Sequence, residues 1–84
     1  MSDTRAEIRT VLDASGKLAK PAELIAPDDD LYNAGLTSHA AVSVMLALET
    51  ELDIEFPDEL LKRETFETIA KIDAAVQQIQ AGES

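Results

Sequence analysis

SHAAVSVMLALETEL, at residues 38–52, is the stretch from which the architecture of this chain follows. Its alanines favour a helix. The apolar residues cover a broad stripe of that helix, so we expect it to be largely buried or to offer an apolar face to a partner. They are Val42, Met45, Leu46, Leu48 and Leu52.

The residues that follow this stretch predict two more helices. Residues 57–62, PDELLK, predict a short helix, because proline suits the first helical position and acidic residues suit a helix N-terminus. A last helix is predicted over residues 66–80, with Thr65 as its cap and Gly82 as its end. Its apolar residues recur at helical spacing: Phe66, Ile69, Ile72, Val76 and Ile79.

The residues that precede it predict one amphipathic helix and a long connection. Residues 3–15 have apolar residues at helical spacing, with Ser2 or Asp3 as a cap and Gly16 as a stop. Residues 16–37 are rich in turn-forming residues, so we expect a long ordered loop containing one short helical turn. No run alternates over strand length. The chain is therefore predicted to be all-α, and residues 1–84 to form a single domain.

Composition excludes several classes of function. Seventeen acidic residues against seven basic ones give a net charge of −10. Such a surface repels phosphate backbones and anionic lipids, so we expect no nucleic-acid binding and no stable membrane association. The N-terminus has no apolar run typical of a secretory signal, and we expect a cytoplasmic protein. The chain has no cysteine, which excludes a disulfide scaffold, a thiolate metal site and a thiol nucleophile.

The acidic run at residues 28–30 invites comparison with a calcium-binding loop. Counting from Asp28, the sixth position is Asn33, where such a loop needs glycine, and the twelfth is His39, where it needs glutamate. The run therefore predicts a solvated turn and no metal site.

Ser38 lies where a loop enters a helix, and with Thr37 its position alone favours a cap. The same position is chemically useful, because free N–H groups and the positive end of the helix dipole accommodate a phosphate there. His39 is a poor base for Ser38, since adjacent residues point about 100° apart on a helix. We therefore expect no self-contained hydrolase and no enzyme.

The order of these features resembles the acyl carrier protein family, which includes peptidyl and aminoacyl carriers. DDLYNAGLTS, residues 29–38, is similar to the family's D-x-L-x-x-x-G-x-D-S approach to its second helix. VSVMLALETELDIEFPDE, residues 42–59, is similar without a gap to the second helix, its exit and the start of the third. ETFETIAKI, residues 64–72, resembles the start of the fourth. The resemblance implies a four-helix bundle with a short third helix and a long loop between helices one and two.

By this resemblance, Ser38 is the attachment serine for 4′-phosphopantetheine, which a phosphopantetheinyl transferase takes from coenzyme A. The arm would hold an acyl group as a thioester. Further partners would be a loading ligase or synthase and an acceptor transferase. The protein itself would be a non-catalytic carrier, and a monomer suits a carrier that passes between partners.

Departures from the family pattern bear on the cargo. Thr37 stands where the family often has aspartate, and His39 stands where it usually has an apolar residue. Residues 38–48 contain no carboxylate, which is nearer to aminoacyl or peptidyl carriers loaded by an adenylating ligase. That is the alternative to an acyl cargo. An unmodified acidic helical adaptor for a basic partner is the alternative of another class.

A surface near Ser38 is predicted to face partners or the arm. Its candidate residues are Leu36, Thr37, His39, Val42, Val44, Met45, Ala47, Glu49 and Glu51. As an alternative role, Val44, Met45 and Phe56 would line a cavity for an acyl chain. The predicted core comprises Leu12, Leu48, Leu52, Phe66, Ile69, Ile72 and Val76.

Overall fold

The computed structural model describes residues 4–82, and this part of the chain is helical without a strand. Its α-helices are α1 (Thr4–Val11), α2 (Ser38–Leu52) and α3 (Ile69–Gly82). One-turn 3₁₀ segments lie at Ala22–Leu24, Asp58–Leu60 and Arg63–Phe66, and a π-helical turn, Leu12–Gly16, extends α1. The all-α class is confirmed. The predicted caps of the first helix, Ser2 and Asp3, lie outside the described residues.

One apolar cluster joins the three α-helices. Each large side chain that it buries stabilises the fold by about 1.5–3 kcal/mol relative to exposure. Of the predicted core, Leu52 is only half-buried, and the other six residues are buried. The largest fully buried side chains are Ile8, Leu12, Ile25, Leu31, Val44, Leu48, Ile69, Ile72 and Val76.

The second helix begins and ends where the sequence predicts. Thr37 caps it, since its Oγ1 accepts a hydrogen bond from the Ala40 amide at 3.0 Å. At the other end Asp53 adopts the left-handed conformation, with φ 53°. Beyond it, the Phe56 amide donates to the Glu49 carboxylate at 2.9 Å. This bond ties the segment after α2 to the last turns of the helix.

The short helix predicted over residues 57–62 forms only as a 3₁₀ turn after Pro57, so residues 4–82 contain three α-helices and the four-helix count is not confirmed. That turn is Asp58–Leu60, and an extended Lys62 separates it from a second 3₁₀ turn, Arg63–Phe66. A helix of six residues needs tertiary packing to form. Here Leu60 is only half-buried and Leu61 is exposed, so little burial supports a continuous helix.

The last helix starts later than predicted, at Ile69 instead of residue 66. The cap is Thr68, whose Oγ1 accepts from the Lys71 amide at 3.0 Å. The predicted cap, Thr65, is buried inside the preceding 3₁₀ turn, where its amide donates to the Lys62 carbonyl. No helix in residues 4–82 is both long and apolar enough to cross a membrane.

The segment before α2 is held at several points, which fixes the approach to Ser38. The Leu31 amide donates to the Glu67 carbonyl at 2.7 Å, in the turn before α3. Gly35 has φ +113°, and a Cβ there would lie 3.2 Å from the Ala19 backbone nitrogen. Glycine is needed at this position because other residues rarely adopt that φ.

Candidate functional site

The hydroxyl-bearing Ser38 is exposed in the first turn of α2. The first backbone bond of the helix runs from the Ala41 amide to the Thr37 carbonyl at 2.8 Å. The Ala40 amide is satisfied by the Thr37 side chain. The amides of Ser38 and His39 therefore lie ahead of the helical ladder, at the positive end of the dipole, where an anion is favoured.

A groove of about 290 Å³ opens beside Ser38, between α2 and the 3₁₀ turns that precede α3. Its walls are mainly apolar, and its size is near the lower end of ligand pockets, roughly 300–1,000 Å³. We call it the Ser38 groove. It is lined by Tyr32, Ser38, Ala41, Val42, Met45, Leu61, Lys62, Arg63 and Phe66.

Tyr32 and Arg63 are joined on one wall of the Ser38 groove. The guanidinium carbon of Arg63 lies 3.8 Å from the centre of the Tyr32 ring, and the Tyr32 hydroxyl donates to the Arg63 carbonyl at 3.0 Å. A cation over an aromatic face is an attractive contact. Burial raises the pKa of Tyr32, with Arg63 opposing the rise and Asp30 and Glu67 adding to it. The phenol therefore stays protonated at neutral pH and remains a donor.

The Ser38 groove differs in charge from the rest of the protein. Its only charged lining residues are Lys62 and Arg63, both cationic, in a chain of net charge −10. The acidic residues lie elsewhere. Within residues 4–82, no group of three or more histidine or acidic residues could hold a metal ion.

The residues predicted to face partners do not form one surface, because some are exposed and others are buried. Thr37, His39 and Val42 are exposed near Ser38, and Met45 is half-buried in the Ser38 groove. Placing Leu36 and Val44 on this surface was wrong, because their side chains are 4% and 0% exposed. Both belong to the apolar cluster.

The partner residues predicted in the second half of α2 lie away from the Ser38 groove. Ala47 and Glu51 line a different cleft, which Glu7 and other residues of the first helix complete. The Glu49 carboxylate is occupied by the Phe56 amide. These residues do not share the Ser38 groove.

The predicted acyl cavity of Val44, Met45 and Phe56 does not form as such. Of the three, only Met45 lines the Ser38 groove. Val44 and Phe56 are buried. The centroid of the Phe56 ring lies 5.6 Å from the centroid of the Phe66 ring.

Sequence reasoning missed much of the groove: Tyr32, Ala41, Leu61, Lys62, Arg63 and Phe66. One signal was present. Lys62 and Arg63 are the only adjacent pair of basic residues in the chain.

Comparison with known proteins places this geometry in context. The family model described as "Phosphopantetheine attachment site" matches residues 5–75. An aminoacyl carrier protein from Agrobacterium fabrum is 47% identical over 77 residues, covering 92% of this chain and 93% of that protein.

Two solved structures share the fold. One is the crystal structure of an engineered Bradyrhizobium japonicum glycine:[carrier protein] ligase complexed with carrier protein from Agrobacterium tumefaciens and ATP. The matched chain is 45% identical with a TM-score of 0.89, and 92% of this chain and 100% of that chain are covered. A holo acyl carrier protein from Nitrosomonas europaea is 24% identical with a TM-score of 0.83, covering 95% of this chain and 99% of that chain.

Proposed function

Because the chain belongs to the phosphopantetheine-attachment family and is a carrier protein, we propose that Ser38 is the serine to which its 4′-phosphopantetheine is attached. The observation that supports Ser38 most directly is its exposed hydroxyl in the first turn of α2. Ser43 is the other serine of this helix, lies one and a half turns further on and is half-buried.

The residues around Ser38 suit an attached 4′-phosphopantetheine. The amides of Ser38 and His39 lie ahead of the helical ladder and favour the negative phosphodiester. The Ser38 groove opens directly beside the hydroxyl and supplies an apolar wall to an attached chain. When bound, the cofactor supplies a terminal thiol, which this cysteine-free chain lacks.

We further propose that the cargo is an amino acid rather than a fatty acyl chain. The relative from Agrobacterium fabrum is an aminoacyl carrier protein, and a similar chain occurs in a complex with a glycine:[carrier protein] ligase.

The ligase would dock on the exposed side of α2 next to Ser38. Val42 and Leu46 lie one helical turn apart and are each 53% exposed, and no carboxylate lies between Ser38 and Leu48. Apolar contact would therefore dominate this interface, which makes its affinity weakly dependent on salt.

In this proposal the chain is a non-catalytic substrate of its partners. A phosphopantetheinyl transferase installs the arm, a ligase loads it and an acceptor transferase unloads it. His39 occupies the next helical position after Ser38 and is exposed, so it is not placed as a base for the Ser38 hydroxyl. The cytoplasmic location expected from the sequence is part of this proposal.

Intact mass spectrometry tests the attachment site. The purified protein is incubated with coenzyme A and a broad-specificity phosphopantetheinyl transferase, and we expect the addition of one phosphopantetheine. Ser38→Ala should abolish the addition, whereas the matched variant Ser43→Ala should retain it. Modification of a folded Ser38→Ala protein would refute the assignment.

Loading of the holo-protein tests the cargo. A glycine:[carrier protein] ligase with ATP and glycine should add one aminoacyl group, which neutral hydroxylamine removes. Efficient extension of the holo-protein by a fatty-acid synthase system, without aminoacylation by the ligase, would overturn the aminoacyl assignment and leave that of Ser38 intact.

A further inference from the structure

We propose that the cleft between α1 and α2 is a docking site for an arginine side chain of a partner protein. The cleft has a volume of about 420 Å³, and its lining includes Glu7 of α1 and Glu51 of α2. We call it the α1–α2 cleft. Ser38 is not part of its lining, so the proposal goes beyond the proposed function and holds independently of where the arm is attached.

The α1–α2 cleft arises from the path of the backbone and from small side chains. After Val11, α1 continues as the π-helical turn Leu12–Gly16, and a π-turn is wider than an α-helical turn. Ala14 of this turn and Ala47 of α2 both line the cleft, and neither side chain is long enough to fill it. Val11 is buried and contributes an apolar floor. The cleft therefore has room for a side chain above an apolar surface.

Glu7 lines the α1–α2 cleft, and one of its carboxylate oxygens is buried without a hydrogen-bond partner. That oxygen is Oε2, and no group among residues 4–82 donates to it. The two basic residues of α1 have other partners. Arg5 donates to the Asp73 carboxylate at 2.9 Å, and Arg9 donates to two backbone carbonyls of the segment before α2, at 3.2 and 3.3 Å. Because a buried carboxylate without a donor is costly, a donor from another molecule would stabilise this site.

The polar groups of the α1–α2 cleft are suited to a cationic donor. Glu7 and Glu51 carry carboxylates, which accept hydrogen bonds and do not donate them. The Thr10 hydroxyl donates to the Ala6 carbonyl at 3.0 Å, so its own oxygen can still accept. The described residues that line the cleft include no lysine or arginine. The complementary ligand is therefore a cation that carries several N–H groups.

Arginine matches these groups better than the other cations do. Its guanidinium presents five N–H donors in one plane, so it can bond a carboxylate and a hydroxyl at the same time. Its methylene stem would lie on the apolar surface at Val11 and Ala47. Within residues 4–82, no three acidic or histidine side chains are grouped to hold a metal ion. A second copy of this chain is a poor occupant, because two chains of net charge −10 repel each other.

The α1–α2 cleft and the Ser38 groove lie on different sides of α2. Ala47 follows Ser38 by nine positions, which places it about 180° around the helix and about 13 Å along it. The buried residues Val44 and Leu48 lie between the two sides. A partner whose arginine occupies the cleft would therefore leave Ser38 exposed. Such a partner could hold the carrier while another enzyme acts at Ser38.

Nuclear magnetic resonance with N-acetyl-argininamide as the probe tests the proposal. The control is N-acetyl-citrullinamide, a neutral isostere, at the same ionic strength. The arginine probe should shift the backbone amide signals of Thr10, Ala14 and Ala47 to saturation, whereas those of Met45 and Leu61 in the Ser38 groove should stay in place. Citrullinamide should shift none of them. Equal shifts with both probes, or shifts spread over the whole acidic surface without saturation, would overturn the proposal.

Variants of the two glutamates identify the residues that bind the probe. Glu7→Gln keeps the size of the side chain and should weaken binding about tenfold or more, as expected when a hydrogen bond between charged groups is lost. Glu59→Gln removes the same charge from an exposed residue outside the cleft and should leave binding unchanged. Because Glu51 is exposed, Glu51→Gln should fold even if Glu7→Gln does not, and it should weaken binding severalfold. Full affinity in either folded cleft variant contradicts the proposal.

Other occupants of the cleft give different outcomes. If calcium chloride or N-acetyl-lysinamide shifts the same signals at a lower concentration than the arginine probe does, the cleft is a site for a metal ion or for lysine, and the assignment to arginine is wrong.

Transfer of phosphopantetheine to Ser38 tests the separation of the two sites. Followed by intact mass, it should proceed at the same rate with either probe present. A rate that only the arginine probe lowers, and that Glu7→Gln restores, would overturn the separation. Failure of the transfer without any probe refutes the proposed function and leaves the docking site intact, because the resonance experiment does not require the arm.

Discussion

Replacing Thr37 by alanine would remove the hydroxyl that holds the first turn of α2 in place. Thr37 Oγ1 accepts from the Ala40 amide at 3.0 Å, and Ala40 is buried, so water replaces this bond only in part. Loss of such a cap costs about 1 kcal/mol, within roughly 0.5–2 kcal/mol. A domain of 84 residues has a free energy of unfolding of about 4–13 kcal/mol. The change is therefore between about a tenth and a quarter of the total.

The same substitution at the other end of the helix provides a matched control. The Thr50 hydroxyl donates to the Leu46 carbonyl at 3.2 Å, which adds a side-chain bond without replacing a missing backbone partner. Alanine is the better helix former at such a position, by a few tenths of a kcal/mol. Thr50→Ala should therefore be neutral or stabilising, and the two variants should differ in sign.

Urea denaturation followed by helical circular dichroism measures both variants. With a slope of about 1–3 kcal/mol/M, the midpoint of Thr37→Ala should fall by about 0.3–1 M at an unchanged slope. Thr37→Ser should keep the midpoint, because serine caps at least as well as threonine. Amide exchange at Ala40 and Ala41 should be faster in Thr37→Ala only. Equal midpoints for Thr37→Ala and Thr50→Ala would refute the capping argument.

Three further outcomes are expected. Leu48→Ala should cost about 2–5 kcal/mol in the same denaturation assay, because Leu48 is fully buried, and Leu46→Ala, at 53% exposure, should cost under about 1 kcal/mol. Gly35→Ala should cost more than about 1 kcal/mol because of its φ of +113°, whereas Gly82→Ala, with nothing within 4 Å of the new Cβ, should not destabilise. The pKa of Tyr32, measured from phenolate absorbance, should lie above the usual 10.0, so the stability contributed by its protonated form is present below pH 10 and lost as pH rises through the folded pKa.

Each of these has a clear contrary result. A Leu48→Ala protein as stable as Leu46→Ala would mean that the α2 stripe does not face the core. An unchanged free energy of unfolding in Gly35→Ala would mean that the turn accommodates alanine without strain. A Tyr32 titration at the same pH in the native protein and in urea would mean that the phenol is not shielded by its surroundings.

The second helix was predictable because local and global signals agree there. A cap precedes Ser38, alanines follow it, and Leu48 falls on the face that the core requires. Elsewhere local signals conflicted. Thr65 and Thr68 are equally good caps by sequence, and only the packing of the preceding 3₁₀ turn selects Thr68.

The Ser38 groove was less predictable because it joins residues that are distant in sequence. Tyr32 and Arg63 are 31 residues apart, and only the tertiary fold brings the hydroxyl of one to the carbonyl of the other. Placing Val42 and Val44 on one surface also disregarded helical spacing, which puts residues two positions apart on nearly opposite sides of α2. Val42 is exposed and Val44 is buried.

The position of Tyr32 gives the protein an intrinsic optical probe. It is the only tyrosine in a chain without tryptophan, so near-ultraviolet emission comes almost entirely from this one ring. That ring lines the Ser38 groove and is covered by the Arg63 guanidinium. Emission intensity and anisotropy therefore report on the surroundings of a single wall, and attachment, loading and unloading could be followed in real time without a label.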